Sequence, residues 1–491
     1  MKNYIWLLPF VALLFGSCGD FLEEESQSEV IPKSASDFSE LLIGSGYPDN
    51  YGPDFSWVEF LDDDCEAYLD LTSYDENWNP IDGFSGSSQA ITPLPFYSWQ
   101  PYMMDQDGYG TRINTVATST TYAQFYNKIM GCNAVLDNID EAVGAKETRD
   151  RVKAEALAVR AMLYFQLVNL YGEPYNYNKN ALGVPLKLDA NLSTEGIARS
   201  TVAEAYENVI LPDLKKAAEL MDPLEIIYKN YRVNQPSIHI LLSRVYLFME
   251  RYQEAADEAN KALAMGIRLM NLPTELEGAM EGNWSYNPLD YKNPEVLWLF
   301  GTGTRAGNAC YWTGHASEFR ALWDSNNDLR WTSYGLALEY SSAVIKKPYG
   351  TSGLSQNIRT AEAWLNKAEA EALLGNTAEA NKALETLRKS RIKGYEHTTL
   401  SGDELLKEIR NERRKEFCFE GFRWFDLRRY GMPEIKHIYR AEAGGPKLVY
   451  TLKEKDPMYT LPIPQSVFEK NTELQQNDCR NTTERVAVNA E

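Results

Sequence analysis

Two stretches far apart in the chain repeat one pattern, and that pattern narrows the possible folds more than any other feature. Residues 236–266, PSIHILLSRVYLFMERYQEAADEANKALAMG, start with a proline suited to a first helical turn and run on as an apolar helix to Met249. A short break follows at Glu250 and Arg251. Tyr252, Ala255, Ala256, Ala259 and Leu263 then mark one face of a second helix, closed by Gly266. Residues 360–391, TAEAWLNKAEAEALLGNTAEANKALETLRKSR, repeat the plan with a turn at Gly375 and Asn376. The small alanines let paired helices approach closely. Such a pair cannot bury its own apolar face and must stack on neighbours.

A third helical stretch, RVKAEALAVRAMLYFQLVNLYGEP, steps by three or four through Val152, Ala156, Val159, Leu163, Leu167 and Leu170, and ends at Gly172 and Pro174. Met162, Phe165 and Val168 add a second apolar side, so this helix is expected to be buried on both sides. The fragments YQEAADEANKAL and TAEANKALETL look like second helices of tetratricopeptide repeats. The units are not in tandem. The expected fold is mainly α, with tetratricopeptide-like helix pairs forming a helical scaffold, large irregular insertions and little β structure. The scaffold occupies residues 122–272 and 358–431. An irregular N-terminal region covers 18–121, an irregular ligand-binding insertion covers 273–357, and a C-terminal segment covers 432–491.

The irregular regions hold Gly, Pro, Asn, Asp, Tyr and Trp with weak periodicity, as in SYDENWNPIDGFSGSS. Long irregular segments within a compact protein are functional or disordered, and these carry too many aromatics for disorder. Tyr and Trp pair an apolar face with a polar tip, which suits wet binding surfaces. A pyranose ring stacks its C–H face on a flat aromatic, while polar side chains bond its hydroxyls. The candidate platform is therefore Trp78, Trp99, Trp284, Tyr286, Tyr311, Trp312 and Trp331. The candidate polar partners are Asn77, Asn79, Asn283, Asn308 and Asp324. For any one of these Trp residues, core packing weighs as heavily as ligand contact. Trp364 and Trp424 lie on helices and read as core, and Trp298 in EVLWLF reads as a buried strand.

Other chemistries lack their groups. The net charge of −21 repels polyanions and argues against nucleic acid. His239, His315, His397 and His437 are scattered, with no HExxH; His239 sits in an apolar helix and reads as a satisfied core residue. GTGTRAGNA lacks the Walker lysine and follows no βαβ pattern. Asp62, Asp63 and Asp64 suggest either a calcium site or, more readily, a solvated acidic turn. Acid pairs for glycoside hydrolysis depend on spatial separation, which sequence does not give. No catalytic residue, cofactor or metal is expected.

The N-terminus, MKNYIWLLPFVALLFGSC, has Lys2 followed by an apolar run from Ile5 to Phe15, too short to span a bilayer. Two readings fit: a lipobox with Cys18 lipidated after removal of residues 1–17, or an ordinary cleavage site with an incidental cysteine. The first is expected, because Gly16, Ser17 and Cys18 sit just where the apolar run stops. Asp20, Glu23, Glu24 and Glu25 then form an acidic tether. The remaining cysteines, Cys65, Cys132, Cys310, Cys418 and Cys479, are odd in number, dispersed and without CxxC, so no disulfide framework or zinc site is expected.

The densest stretch is NERRKEFCFEGFRWFDLRRYG, residues 411–431, with six basic and four acidic residues threaded with aromatics. The charges nearly balance and can pair with one another while arginine stems pack on rings, which favours a structural element over a catalytic or nucleic-acid site. Five landmarks together, the cysteine at 18, AEALAVRAMLYFQLVNLYGEP, LLSRVYLFMERYQEAADEANKAL, IRNERRKEFCFEGFRWFDLRRYG and LPIPQSVFEKNTELQQN, resemble the SusD/RagB family of outer-membrane nutrient-binding lipoproteins. The acidic run behind Cys18 resembles the surface-export signal of Bacteroidetes lipoproteins. The resemblance implies a surface-exposed outer-membrane lipoprotein that captures oligosaccharide or polysaccharide for a SusC-like TonB-dependent transporter, and it implies that residues 411–431 are a structural signature. A peptide receptor of the RagB type is the alternative, and a surface glycan hydrolase the third reading. The family's ligand residues lie outside these motifs, so none is carried over.

Overall fold

The periodic stretches are helices, and their order in the chain is their order in space. The computed structural model describes residues 31–49, 52–53, 57–67, 72–74, 80–82, 94–105, 116–193, 195–276, 288–301, 313–315, 317–334, 354, 356–439 and 446–490. The scaffold helices are α1 (Ala35–Leu41), α2 (Val116–Leu136), α3 (Lys146–Tyr171), α4 (Leu211–Met221), α5 (Gln235–Phe248), α6 (Tyr252–Ala264), α7 (Thr360–Leu373), α8 (Thr377–Lys389), α9 (Gly402–Glu416) and α10 (Arg423–Arg429). From α2 to α7 each helix packs on the next, and α7 packs on both α8 and α9. The two repeated units are α5–α6 and α7–α8. The insertion separates them in the chain, yet α6 lies directly on α7. The second pair therefore buries the face that the first pair leaves open.

Among the described residues, strand is confined to short antiparallel pairings. Cys65–Ala67 pairs with Thr313–His315, Thr72–Tyr74 with Pro80–Asp82, and Val296–Phe300 with Gln356–Arg359. Ile435–Tyr439, Leu448–Leu452 and Val488–Asn489 form a three-stranded sheet. Trp298 is fully buried in its strand, and Trp424 in α10, as read from the sequence. Trp364 packs on the small core between α7, α8 and α9. The N-terminal region departs from expectation. Ser34 caps α1 through a capping box with Asp37, and α2 already begins at Val116, so residues 18–121 are not irregular throughout.

Local signals set the helix ends. Asn234 caps α5 through a capping box with Ser237, with Pro236 in the first turn. The breaks inside the two pairs are left-handed turns at Glu250 (φ 57°) and Gly375 (φ 82°). α3 is buried on both sides over most of its length. Its last carbonyls would be orphaned in the core. Buried Arg428 donates to the carbonyls of Asn169 and Gly172, and Arg199 donates to those of Tyr171 (2.8 Å), Leu182 (3.0 Å) and Gly183 (2.7 Å). Cations at this helix end also complement the helix dipole. Burial pushes Arg428 down to about 10, which leaves it charged at neutral pH.

Paired charges fix helix to helix. Arg160 of α3 holds Asp213 of α4 at 2.8 and 2.9 Å, Arg244 of α5 holds Glu362 of α7 at 2.5 and 2.7 Å, and Arg429 of α10 holds Glu369 of α7 at 2.8 and 2.7 Å. Each is a two-pronged contact, which fixes orientation as well as distance.

His239 of α5 is buried and satisfied, as its apolar setting suggested. Its Nδ1 meets Glu258 of α6 at 2.5 Å and its Nε2 meets Asp222 at 3.1 Å. Burial opposes its charge, but the two carboxylates outweigh that and raise its pKa from 6.5 to about 9. A raised folded-state pKa gives stability that is fully present below 6.5 and is lost as pH climbs through about 9. His239→Gln is therefore expected to lower unfolding free energy by roughly 1–3 kcal/mol at pH 6 and by much less at pH 10. Urea unfolding at both pH values checks this.

Candidate functional site

The charged stretch at residues 411–431 builds the floor on which the candidate site stands. On α9, Glu412 and Glu416 are four residues apart, so both point to one face. Both are fully buried. Glu416 accepts hydrogen bonds from Arg330 (2.8 Å), from Arg391 (2.9 and 3.1 Å) and from Arg359. Glu412 accepts from Arg388 (2.7 Å) and Arg330 and lies 3.2 Å from Lys415. Arg391 also reaches Glu295 (2.8 Å), Arg359 reaches Glu420 (2.9 Å), and Arg330 holds Asp328 at 2.7 and 2.9 Å. Five cations, Arg330, Arg359, Arg388, Arg391 and Lys415, thus face five buried carboxylates, Glu295, Asp328, Glu412, Glu416 and Glu420, and Arg388 also holds the half-buried Glu408 at 2.7 Å. Balance and multiple hydrogen bonds are what make buried charge tolerable. Burial alone would raise Glu412 and Glu416. Arg330 with Lys415 and Arg388, and Arg391 with Arg359 and Arg330, instead hold them well below the usual carboxylate range.

The network seats part of the insertion. Arg330 lies in the short helix Leu329–Ser333, capped by Asp328. The preceding turn is built by Asp324, whose carboxylate accepts from the backbone of Asn326 (3.2 Å) and Asn327 (3.3 Å) and from the Asn327 side chain (2.8 Å). The Asn327 amide, against slight burial, leads in lowering the Asp324 pKa, so this exposed group is ionised. Main-chain bonds from Lys393 to Asn327 (2.9 Å) and from Leu329 to Arg391 (3.0 Å) tie the turn to the chain leaving α8.

On this support stand two tryptophans. Trp331 is partly exposed and Trp323 is 9% exposed, with ring centroids 5.7 Å apart. Behind them lies a separate apolar core that includes Leu272, Phe319, Leu329, Tyr334 and Phe419. Arg330 and Lys415 lie over the Trp323 ring at 5.5 and 5.6 Å, so the charge network touches the aromatic pair directly. Asp324, Asn326 and Asn327 form an exposed polar rim on the same turn. Flat ring, apolar backing and adjacent amide and carboxylate groups can bind a sugar by stacking and hydrogen bonding.

The structure thus brings together two sequence candidates, Trp331 and Asp324. It adds Trp323, Asn326 and Asn327, which the sequence reading missed; the signal was a second Trp beside Asp324 in ALWDSNNDLRW. Trp99 is corrected. It is fully buried, its indole donates to the Leu61 carbonyl (3.0 Å), and its ring stacks on His437 at 4.1 Å, so it is core. The solvated acidic turn at residues 62–64 is also corrected. Asp62 and Asp64 are buried, Asp63 grips Arg423 at 2.7 and 2.8 Å, and Arg414 binds Asp64 and the Asp63 carbonyl. These contacts lock the N-terminal region onto the signature stretch. Trp78, Trp284, Tyr286, Tyr311, Trp312, Asn77, Asn79, Asn283, Asn308 and Cys18 lie outside the described residues.

A stacked-helix scaffold that presents an aromatic and amide surface, with a charge-locked signature beneath it, defines a class of helical-repeat proteins. Residues 249–479 match the sequence profile of the SusD family, and residues 20–247 match a SusD-like profile described as starch-binding associating with outer membrane. The chain belongs to the SusD family. Among curated proteins it is similar to two SusD-like proteins of Formosa agariphila. One is 21% identical over 60% of this chain and 50% of the relative; the other is 24% identical over 73% and 80%. The match thus spans only half the length of the first relative. Among solved structures, a SusD superfamily protein of Bacteroides thetaiotaomicron shares the fold at TM-score 0.66, with 24% identity over 90% of this chain and 99% of that one. A SusD-like carbohydrate binding protein of Bacteroides vulgatus does so at TM-score 0.59, with 24% identity over 90% and 97%.

Glu416→Gln removes one buried charge and leaves its arginines short of a partner. It is expected to cost about 3–5 kcal/mol at pH 7. Because the folded-state pKa is depressed, the stability Glu416 supplies is present above the ordinary value of 4.5 and fades as pH falls below it. The gap between wild type and variant should therefore be constant from pH 6 to 8 and narrow at pH 3.5, as denaturant titrations at each pH will read.

Proposed function

We propose that this protein is a cell-surface receptor that captures a glycan on the Trp331 platform and passes it to a SusC-like TonB-dependent transporter. The observation that carries the reading is the partly exposed Trp331, held beside Trp323 and the Asp324–Asn327 rim on a rigid, charge-balanced floor. The family's outer-membrane and starch-binding description supports it, and so does the likeness to a SusD-like carbohydrate binding protein. The reading is non-enzymatic: ligand leaves as it arrived. Anchoring falls to a lipid on Cys18, with the acidic residues behind it as tether. Cys18→Ala should then move the protein from the membrane to the soluble fraction in cells lacking the transporter; retention would refute the anchor.

Binding should be modest, since cargo must be released. A micromolar constant corresponds to about −8 kcal/mol. One aromatic stack contributes about 1 kcal/mol. Trp331→Ala is thus expected to weaken binding of a screened polysaccharide about fivefold or more, with unchanged circular dichroism. Calorimetric titration against glycan and peptide panels measures this. Wild-type affinity in the variant would remove Trp331 from the site, selective peptide binding would favour the peptide receptor, and shortened glycan would identify a hydrolase.

A further inference from the structure

A cleft of about 360 Å³ opens where the chain leaves α3, between the short helix Tyr175–Asn178, the turn through Lys455 and Pro457, and the C-terminal segment at Gln476 and Asn477. It shares no residue with the Trp331 platform. That volume is in the range of small-molecule sites. Gln476 and Asn477 belong to LPIPQSVFEKNTELQQN, a landmark for which the platform has no use. They pin the walls. Gln476 bonds the Ile463 backbone in both directions, at 2.9 and 2.7 Å, and Asn477 donates to the carbonyls of Tyr171 (2.8 Å) and Leu461 (2.7 Å). The Lys455 backbone N–H donates to the Met432 carbonyl at 2.8 Å, and both residues are left-handed without being glycine, at φ 52° and 57°. Such backbone is unfavourable for a side-chain-bearing residue, and it gathers at ligand sites.

Other groups in the lining are uncommitted. In the short helix, Tyr175 donates to Glu207 (2.6 Å) and Asn176 to the Arg429 carbonyl (2.9 Å), whereas the Tyr177 side chain is left 54% exposed. Among the described residues, no hydrogen bond ends on the hydroxyls of Tyr177 and Thr460 or on the carboxylates of Glu173 and Asp478. Buried Arg428 offsets the Glu173 charge through space, and Lys455 brings an ammonium paired with exposed Glu454 at 3.1 Å. Tyr177, Leu182, Met432 and Pro457 supply apolar surface to the same cleft. Carboxylates accept, hydroxyls do both, and an ammonium donates. This mixture matches a pyranose, which lays a C–H face on a ring and turns neighbouring hydroxyls to the carboxylates. An apolar ligand would desolvate these groups and answer none of them. A bare ammonium would meet the Lys455 charge.

We propose that this cleft is a second saccharide site, distinct from the Trp331 platform and independent of it, for a neutral mono- or disaccharide unit that stacks on Tyr177 and offers its hydroxyls to Glu173, Thr460 and Asp478.

The test uses the full chain carrying Trp331→Ala, so that the first platform is removed, titrated separately with maltose, cellobiose, lactose and butylamine and followed by ligand-detected NMR. At least one disaccharide is expected to bind saturably and more tightly than butylamine. Adding Tyr177→Ala should weaken that disaccharide about fivefold or more, the size of one aromatic stack, with unchanged circular dichroism. Adding Asp478→Ala instead, at an exposed position with no bond to lose, should weaken it about fivefold, the size of one hydrogen bond to a charged group. The proposal is overturned if no disaccharide binds, if butylamine binds more tightly than all of them, or if either folded variant binds like Trp331→Ala alone. Wild type that binds the same disaccharide no better than Trp331→Ala would count against the platform alone and leave the result at the cleft standing.

Discussion

Glu416 accepts hydrogen bonds from three buried guanidinium groups, and the candidate platform stands on those contacts. The three arginines come from three places: the short helix of the insertion, the strand that returns the chain to α7, and the turn after α8. One carboxylate therefore decides how the insertion sits on the scaffold. Charges this deep are costly to desolvate, and each is tolerable only while its partners stay. Five cations stand against five buried carboxylates and the half-buried Glu408, so every buried charge of the network has an opposite partner. The arrangement is therefore all-or-none in a way an apolar contact is not. An apolar floor would let Trp331 and the Asp324 turn slide, whereas two-pronged arginine contacts fix angle and distance together.

The same logic recurs through the scaffold. Arg160–Asp213, Arg244–Glu362 and Arg429–Glu369 each join two different helices. Arg199 and Arg428 close the end of α3. Alanine-rich faces bring the helices close, and paired charges choose one register among the many that small, smooth faces permit. A binding protein gains from that choice, because a platform that is already ordered loses little entropy when its ligand docks.

Much of this was legible in the sequence because it is local. Apolar spacing, Pro236, the break at Glu250 and Gly375, and the near-balance of charge in NERRKEFCFEGFRWFDLRR all act over a few residues, and the structure agrees with each. What failed depends on distant partners. Three adjacent aspartates look solvated until Arg414, 350 residues on, reaches Asp64. Trp99 sits among Pro, Tyr and Gln like a surface residue, and only Leu61 and His437 make it core. Trp331 and Asp324 were named as candidates from composition, which reads side-chain chemistry but not position. Trp323 was passed over although it is the ring through which the charge network touches the platform. That each pair must stack on a neighbour was read from the sequence; that α7 meets this need on α6, across the insertion, is what the structure adds.

If glycan docks on the Trp323–Trp331 surface, set on the Glu416 network, bound ligand will shield that surface from solvent. Hydroxyl-radical footprinting read by mass spectrometry, with and without a saturating polysaccharide drawn from a binding screen, tests it most directly. The expected result is ligand-dependent protection of Trp331 together with residues 324–327, and no change at buried Trp99. Unchanged oxidation of Trp331 under saturating ligand, with protection confined to another part of the chain, would contradict it.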